Sequence, residues 1–384
     1  MNGSSFSELF KPMDIANRTT RNRIVLAPMS VCYGDEAGMV TRPEIEHYAR
    51  RAEGGAGVII TENFAVSAAG RQMPRQTIVE DRRSLPGLRD LASEIRQKGA
   101  LAIVQIVHAG RYAGPWHEYE KRRRLAPSAV PFELSADRIV TPHEMTSGEI
   151  EESIDAFGSA AELCEEAGFD GVDIHGGQGF LISSFLSPRM NQRTDEWGGG
   201  YENRLRFPLA VVREVVRRTS AGFLVGWHMM SDELAPGGWS IKDSLRLVPH
   251  LTAERIAFIV PTPATFETLR MPANLGLYGK RMYSVSDAAA VKAVSDVPVI
   301  ANGRLGDPYD AERVLNEGVA DAIGLARPLF VDPDWPTKVA AGNIPGIRHC
   351  PCDPPTCLRT QLTGALCDHW PNPVIEQGYL GYGM

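Results

Sequence analysis

His175 stands where an apolar, strand-like segment meets a glycine-rich turn. Residues 171–174 have the composition of a buried strand, and the glycines and polar residues that follow indicate a loop that leads to a helix near Tyr201. A strand fixes the position of such a histidine, and a loop leaves room for a ligand beside it. The pattern therefore favours chemistry at His175 over a packed, structural histidine.

Four of the six cysteines lie close together near the C-terminus, with the spacing C-x-C-x4-C-x9-C: Cys350, Cys352, Cys357 and Cys367. Four thiolates at such a spacing can bind an iron–sulfur cluster or a zinc ion. The alternative is four reduced cysteines in a proline-rich tail. We expect a bound metal or cluster, because unligated thiols rarely lie this close together in sequence.

A fold must hold these residues in place, and the sequence pattern predicts which fold it is. Strand-like apolar runs are found at 24–27, 58–61, 101–107, 171–174, 223–227, 256–260, 297–301 and 321–325. Helical patterns lie between them at 42–52, 84–98, 147–167, 202–219, 241–252, 286–294 and 308–317, with Ser147 as a helix cap. The alternation predicts an α/β fold, a (β/α)8 TIM barrel over residues 1–340, followed by a cysteine-containing extension over 341–384.

A doubly wound sheet is the alternative fold, but it would need a glycine-rich phosphate loop after its first strand. The first strand here is followed by Ala-Pro-Met-Ser at 27–30, which contains no glycine. In a barrel, chemistry gathers at the C-terminal strand ends. Those ends carry an unusually polar set of residues: Ser30, Glu62, Gln105, His108, His175, His228, Asn302, Gly303 and Arg327.

The last two predicted strands carry a phosphate signal. The sequences Asn302-Gly303-Arg304 and Ala326-Arg327 follow them. Glycine lets backbone amides approach a phosphate, and arginine adds a bidentate cation. Because strands seven and eight hold the phosphate in many such barrels, the pair of loops favours phosphate binding over ordinary surface turns.

Composition excludes several classes of protein. The chain has 384 residues, 43% of them hydrophobic, and a net charge of −7, which argues against broad nucleic-acid binding. Its first residues lack the apolar core of a signal peptide, and no apolar run approaches the ~20 residues of a membrane helix. We expect a cytoplasmic homo-oligomer that acts on a small molecule, without nucleic-acid or membrane partners.

Motifs over residues 9–335 resemble the old yellow enzyme family of flavin-dependent oxidoreductases. They are NRIVLAPM at 22–29, HYARRA at 47–52, GGAG at 54–57, QIVHAGR at 105–111, the segment 169–207 around His175, and GLARPL at 324–329. The resemblance implies a barrel that binds FMN noncovalently and stacks its substrate over the flavin. It implies that hydride passes through flavin N5.

The same resemblance implies roles for individual residues. Pro28, Met29 and Ser30 would line the flavin, with the Ser30 hydroxyl at its C4 carbonyl. Gln105 would bind the pyrimidine edge, with Glu62 bordering the pocket. Gly303 and Arg327, with neighbouring Asn302, Arg304 and Ala326, would hold the phosphate. His175 would donate a hydrogen bond to the substrate carbonyl and stabilise charge that develops during hydride transfer.

Three positions depart from the family pattern. The usual His-x-x-Asn or His-x-x-His pair is His175-x-x-Gln178, whose amide still donates through a longer arm. Phe180 stands where the family has a tyrosine proton donor, so the proton must come from elsewhere or from water. His228 replaces an arginine beside flavin N1, which predicts a pH-sensitive flavin potential.

The cysteine segment resembles the branch that includes 2,4-dienoyl-CoA reductase and trimethylamine dehydrogenase. There a [4Fe–4S] cluster occupies this place, which favours iron–sulfur over zinc at Cys350, Cys352, Cys357 and Cys367. The lead-in IRHC at 347–350 and Asn372-Pro373 after the last cysteine share that likeness. A cluster here would exchange electrons with a separate electron-transfer protein or serve structure only.

Three functions follow from these observations. The first is an FMN-dependent oxidoreductase that reduces an α,β-unsaturated carbonyl compound with NAD(P)H. The second is an FMN/iron–sulfur dehydrogenase that oxidises a saturated substrate, an N-methylated amine or a cyclic ketone, and passes electrons to a carrier; Phe180 favours it. The third is a noncatalytic flavin or phosphate-ligand binder.

Overall fold

Eight parallel strands form one sheet that curls into a barrel. The computed structural model describes residues 6–114, 123–135, 138–352 and 356–371. The strands are β1 Ile24–Leu26, β2 Val58–Ala65, β3 Leu101–Val107, β4 Gly171–Gly176, β5 Leu224–Met230, β6 Phe258–Thr262, β7 Ile300–Ala301 and β8 Ala322–Leu325. Neighbours run β6-β5-β4-β3-β2-β1-β8-β7, and a bridge between Ile259 and Val299 closes the ring. The predicted (β/α)8 TIM barrel is confirmed.

Helices surround the strands in the predicted alternation. They are α1 Arg42–Glu53, α2 Leu85–Gln97, α3 Ser147–Glu166, α4 Leu181–Leu186, α5 Tyr201–Arg218, α6 Ile241–Ala253, α7 Val285–Lys292, α8 Pro308–Asn316, α9 Arg327–Val331 and α10 Trp335–Ala340. In the part of the chain that the structure describes, none of the helices combines the length and the apolar character that crossing a membrane requires.

Local signals explain where the helices begin. Thr146 and Glu149 form a reciprocal capping box at α3, so the cap is Thr146, and the prediction of Ser147 as the cap was wrong by one residue. Asp307 caps α8 with its side chain, and Pro308 takes the first helical position. Each such cap stabilises its helix by about 1 kcal/mol.

The barrel interior is filled by apolar side chains from alternate strand positions, among them Val25, Val58, Ile60, Ile103, Leu224, Phe258, Val260 and Ile300. An antiparallel hairpin, Met13–Ile15 and Arg18–Thr20, packs Met13 and Ile15 against that cluster. Burial of each such side chain contributes about 1.5–3 kcal/mol. The C-terminal ends of the strands lead into the loops that carry the predicted site residues.

The described part of the predicted 341–384 extension packs on the loop after β1. The Tyr33 hydroxyl donates to the Ala365 carbonyl at 2.6 Å, and the Ala365 amide donates to the Val31 carbonyl at 2.8 Å. The Gln361 amide reaches the Ser30 carbonyl at 3.0 Å. Asn372 and Pro373 lie outside the described residues.

Candidate active site

A cavity of ≈ 380 Å³ opens at the C-terminal ends of the strands, within the size range of small-molecule and cofactor sites. Eight of the predicted site residues line it: Pro28, Gln178, His228, Asn302, Gly303, Arg304, Ala326 and Arg327. Five other predicted flavin and substrate residues are not among those that line it: Met29, Ser30, Glu62, Gln105 and His175. The barrel therefore brings together residues that are far apart in sequence.

One end of the cavity is cationic and has little side-chain bulk. Gly303 has φ +100°, and a Cβ there would lie 2.6 Å from the Ser284 hydroxyl oxygen, so only glycine fits. Next to it, Nη1 of Arg304 is buried and has no hydrogen-bond partner among the described residues. A buried guanidinium nitrogen without an acceptor is costly, which indicates that this end receives an anion.

Arg327, at the start of α9, is held over the same end. Its Nη2 donates to the Tyr278 carbonyl at 3.0 Å and its Nη1 to the Cys352 carbonyl at 3.4 Å. The fully buried Arg51 fixes α9 from behind by donating to the Leu329 and Phe330 carbonyls at 3.1 and 2.9 Å. The HYARRA motif thus positions the second arginine of the cationic end.

A buried polar network lies at the other end of the cavity. Gln105 Nε2 donates to Asp173 Oδ2 at 2.8 Å, and the same oxygen lies 3.4 Å from His228 Nδ1. That distance is within the range of an ion pair, but the geometry is not that of a hydrogen bond. Among the described residues, His228 Nδ1 and Asp173 Oδ1 are buried without a hydrogen-bond partner. Asp173 was not predicted as a site residue.

The other nitrogen of His228 joins a hydroxyl relay. Its Nε2 lies 3.2 Å from Thr262 Oγ1, which accepts from Asn302 Nδ2 at 2.9 Å. The Ser284 hydroxyl donates to Asn302 Oδ1 at 2.7 Å, which fixes the orientation of that amide. Thr262 Oγ1 therefore links the Asn302 amide to the His228 imidazole, and the direction of its bond to Nε2 depends on the tautomer of His228.

His175 is pre-set as a neutral hydrogen-bond donor. Its Nδ1 accepts from the Gly177 amide at 3.2 Å, which leaves the proton on Nε2. Burial, and next the neighbouring His228, hold the pKa of His175 well below its usual value. The two rings lie 5.0 Å apart on β4 and β5, where His175 and His228 are paired in register.

Gln178 has the backbone conformation of a constrained site residue. Its φ is +57°, which is uncommon for a residue with a side chain, and a β-bridge to Thr265 holds it there. Its side chain interacts with His175 on one side. Phe180, two residues on, is buried with its ring edge-on to His175 at 4.7 Å, and it has no proton to give.

Ser30 and Glu62, two predicted flavin-site residues near β1, form hydrogen bonds to other groups of the protein. The Ser30 hydroxyl donates to Asn63 Oδ1 at 3.0 Å. The Glu62 carboxylate is fully buried and accepts from the Val31 and Cys32 amides at 2.9 Å. A register shift in β2 between Ile60 and Asn63 accompanies the placement of Glu62. Glu62 braces the β1 loop and does not line the cavity.

The four C-terminal cysteines surround one small space of ≈ 10 Å³, together with Arg327, Phe330, Val331 and Thr356. All four are free thiols. No three metal-binding side chains of the described residues stand within metal-ligand distance of one another. Cys350 also lines the large cavity, so this segment forms part of the wall between the two spaces.

The donor groups fit FMN in both halves of the large cavity. The unpartnered Arg304 nitrogen, Gly303 and Arg327 suit a phosphate, and the amide, carboxylate and imidazole of the other end suit the polar edge of a flavin ring. For the cysteines, the donor type fits iron–sulfur or zinc and the four side chains converge, although their spacing is not that of a closed ligand set.

Comparison with known proteins finds relatives over most of the chain. The model of the NADH:flavin oxidoreductase / NADH oxidase family matches residues 8–344. An NADH oxidase of Thermoanaerobacter brockii is 34% identical over 90% of the chain and 52% of its own length. An N,N-dimethylglycine/sarcosine dehydrogenase of Chromohalobacter salexigens is 31% identical over 98% of the chain and 54% of its own.

Among solved structures, a 2-naphthoyl-CoA reductase in complex with 2-naphthoyl-CoA superposes with a TM-score of 0.81. It is 30% identical and is matched over 88% of the present chain and 52% of its own. The chain thus spans about half the length of each of these three proteins.

Proposed function

Because the chain belongs to the NADH:flavin oxidoreductase / NADH oxidase family, we propose that it is an FMN-dependent oxidoreductase that transfers hydride between NAD(P)H and an α,β-unsaturated carbonyl compound. The observation that supports the proposal is that Gln178 lines the same cavity as the cationic, glycine-containing end and that its side chain interacts with His175. The site of hydride transfer is then the C-terminal mouth of the barrel.

In this proposal the chain's own residues hold the cofactor. Gly303, Arg304 and Arg327, with Asn302 and Ala326 beside them, hold the phosphate. Pro28 and His228 wall the ring, and Met29 and Ser30 shape the loop behind Pro28. Gln105 binds the pyrimidine edge. Bound FMN supplies the hydride chemistry, which no side chain of the protein can perform.

His175 and Gln178 hold the substrate carbonyl. His175 donates through Nε2–H, since its other ring nitrogen accepts from the Gly177 amide. The Gln178 amide supplies a second donor. Because its pKa is depressed, the His175 imidazole is neutral and donates this hydrogen bond without carrying a positive charge. Hydrogen-bond donors directed at an oxygen that gains negative charge lower the activation barrier. In a comparable site, removing one such donor raises that barrier by about 2.7–4 kcal/mol.

The test is anaerobic reduction and reoxidation of the FMN-bound protein. We expect NADH or NADPH to bleach the flavin absorbance near the visible maximum and 2-cyclohexenone to restore it. Flavin that neither nucleotide can reduce, in folded protein, contradicts the proposal. Flavin that neither the nucleotides nor a panel of saturated substrates can reduce supports a noncatalytic binder instead.

A second candidate function is favoured by the cysteines and by Phe180. An FMN/iron–sulfur dehydrogenase would oxidise an N-methylated amine or a cyclic ketone, and such an oxidation needs no tyrosine acid. Cys350 borders both spaces, which suits electron transfer from flavin to a [4Fe–4S] cluster at Cys350, Cys352, Cys357 and Cys367 and then to a separate carrier protein. The match to a dimethylglycine/sarcosine dehydrogenase includes the cysteine segment.

Iron and acid-labile sulfide analysis separates these candidates. About four irons and four sulfides per chain, together with flavin reduction by an N-methylated amine, support the dehydrogenase. Zinc in place of iron supports a structural site. We further propose a homo-oligomer in the reducing cytoplasm, which size-exclusion chromatography and cell fractionation test.

A further inference from the structure

We propose that the phenol of Tyr278 is the proton donor of this active site, in the role that Phe180 cannot fill. The inference rests on the proposed reduction of an α,β-unsaturated carbonyl compound. It concerns a residue in the loop between β6 and α7, a segment whose composition gave no sign of chemistry.

Tyr278 has contacts at its backbone, its ring and its hydroxyl. The Tyr278 carbonyl accepts from Arg327 Nη2 at 3.0 Å, and its ring stacks on Tyr283 with centroids 4.9 Å apart. Its hydroxyl lies beside the Gln178 side chain and donates to the Pro263 carbonyl at 3.2 Å. Tyr283 lines the large cavity, so the stacked pair stands at the cavity's edge.

Gln178 joins this phenol to the predicted substrate-binding histidine. The Gln178 side chain interacts with His175 on one side and with Tyr278 on the other. A substrate whose carbonyl oxygen accepts from His175 and Gln178 therefore has the Tyr278 hydroxyl on its flank. In this proposal the Tyr278 hydroxyl protonates the α-carbon after hydride reaches the β-carbon.

A nearby tyrosine is a poorer candidate. The Tyr112 hydroxyl donates to Glu267 Oε1 at 2.7 Å, a short bond to a carboxylate that commits its proton. The Tyr278 hydroxyl donates to a neutral carbonyl at 3.2 Å, at the long end of the hydrogen-bond range, and can turn to a substrate more readily.

Protonation state and access also fit a donor. Burial raises the pKa of Tyr278 to about 12, so the phenol keeps its proton throughout the neutral range. Tyr278 as a residue is half-buried, whereas Phe180 is buried, so position 278 keeps some contact with solvent, from which a tyrosinate would take back a proton.

In the proposed reduction, bound FMN would supply the hydride of NAD(P)H, with its electron pair, and a C–H bond would form at the β-carbon. The carbon–carbon double bond is lost, and the charge is held at the carbonyl oxygen by His175 and Gln178. The α-carbon then takes the proton of the Tyr278 hydroxyl, and water returns a proton to the tyrosinate.

The test separates the two half-reactions of FMN-bound protein by stopped-flow absorbance. In Tyr278→Phe we expect FMN affinity and flavin reduction by NAD(P)H to stay within about twofold of wild type. Reoxidation by 2-cyclohexenone should fall about 100-fold or more, the usual contribution of a general acid. Tyr309→Phe, which removes an exposed phenol on α8, serves as the control and should change neither rate.

Rescue distinguishes a proton donor from a structural residue. Adding Phe180→Tyr to Tyr278→Phe returns a phenol beside His175 and should restore reoxidation at least tenfold. Reoxidation of Tyr278→Phe at the wild-type rate overturns the inference, and so does a loss that Phe180→Tyr leaves unrescued. Failure of the proposed function would already show in wild type, as flavin that does not bind or that no enone reoxidises.

Discussion

The Asp173 carboxylate and the His228 imidazole face each other across β4 and β5, with Oδ2 3.4 Å from Nδ1. His228 stands where the family resemblance implies an arginine. Arginine is a fixed cation, and histidine is not. Gln105, which binds the same Asp173 oxygen, ties the pair to the predicted pyrimidine end of the flavin site.

Restoring the arginine should raise the flavin potential. In His228→Arg a permanent cation stabilises the reduced, anionic flavin, so the midpoint potential at pH 8 should rise by roughly 30 mV or more, or about 1.4 kcal/mol for a two-electron couple. Spectroelectrochemical titration of FMN-bound protein measures it. His250→Arg, on the exposed side of α6, is the control, and equal potentials in all three proteins would refute the assignment of His228.

Removing the His175 imidazole should slow turnover and leave FMN bound. We expect His175→Ala to lower kcat/KM for 2-cyclohexenone by about 10²–10³. Because the pKa of His175 is depressed, its imidazole should stay neutral in the neutral range, and His175 should contribute no inflection near pH 6.5 to the activity profile. His143→Ala, at a half-buried position outside the cavity, is the control. Normal turnover in His175→Ala would make His175 only structural.

Removing one cysteine of the convergent set should remove the metal or cluster that we propose there. Cys357→Ala is expected to lose most of the iron and sulfide, or the zinc, that wild type carries, since a four-thiolate site rarely survives with three ligands. Elemental analysis after anaerobic purification measures it. Cys164→Ala, at a lone buried thiol of α3, should keep the full content. Wild type without metal would assign the four thiols to packing alone.

The buried carboxyls of Glu44 and Glu62 should make stability fall with rising pH. Burial raises the pKa of Glu62 from its ordinary 4.5 to about 7, and burial followed by the charge of Glu62 raises that of Glu44 well above its own. A raised pKa means that the folded state binds the proton more tightly than the unfolded chain. The stabilisation is therefore present at low pH and is lost as pH rises from about 4.5 toward 7.

Glu44→Gln should flatten this dependence. The amide can donate to the Glu62 carboxylate and no longer titrates, so the loss of unfolding free energy between pH 5 and pH 8 should shrink by roughly 1–3 kcal/mol. Urea unfolding at several pH values measures it. Glu46→Gln, whose exposed pair with Arg42 is worth little, is the control. An unchanged slope in Glu44→Gln would show that the pair does not titrate in this range.

The sequence predicted the barrel because alternation of apolar strands and capped helices is a local signal. β3 has the predicted bounds, 101–107. The predicted strand at 297–301 shrinks to Ile300–Ala301, since side chains take its first amides: Ser295 Oγ accepts from Val297 N and Asp321 Oδ2 accepts from Val299 N. Those contacts depend on tertiary packing, which periodicity does not report.

The sequence predicted only some of the residues of the candidate site. Gly303, Arg304 and Arg327 carry a pattern that a phosphate requires, and the structure gathers them at one end of the cavity. Asp173 had a weaker signal, a lone carboxylate inside a buried strand. Tyr278 had none, because its place beside Gln178 depends on the fold of an irregular loop and on its bond from Arg327.

Titration of the flavin-free protein with FMN tests the central claim most directly. Quenching of flavin fluorescence should saturate at one FMN per chain, and riboflavin, which lacks the phosphate, should bind at least tenfold more weakly because Arg304 and Arg327 lose their anion. A folded preparation that stays colourless and shows no affinity for FMN would contradict the account.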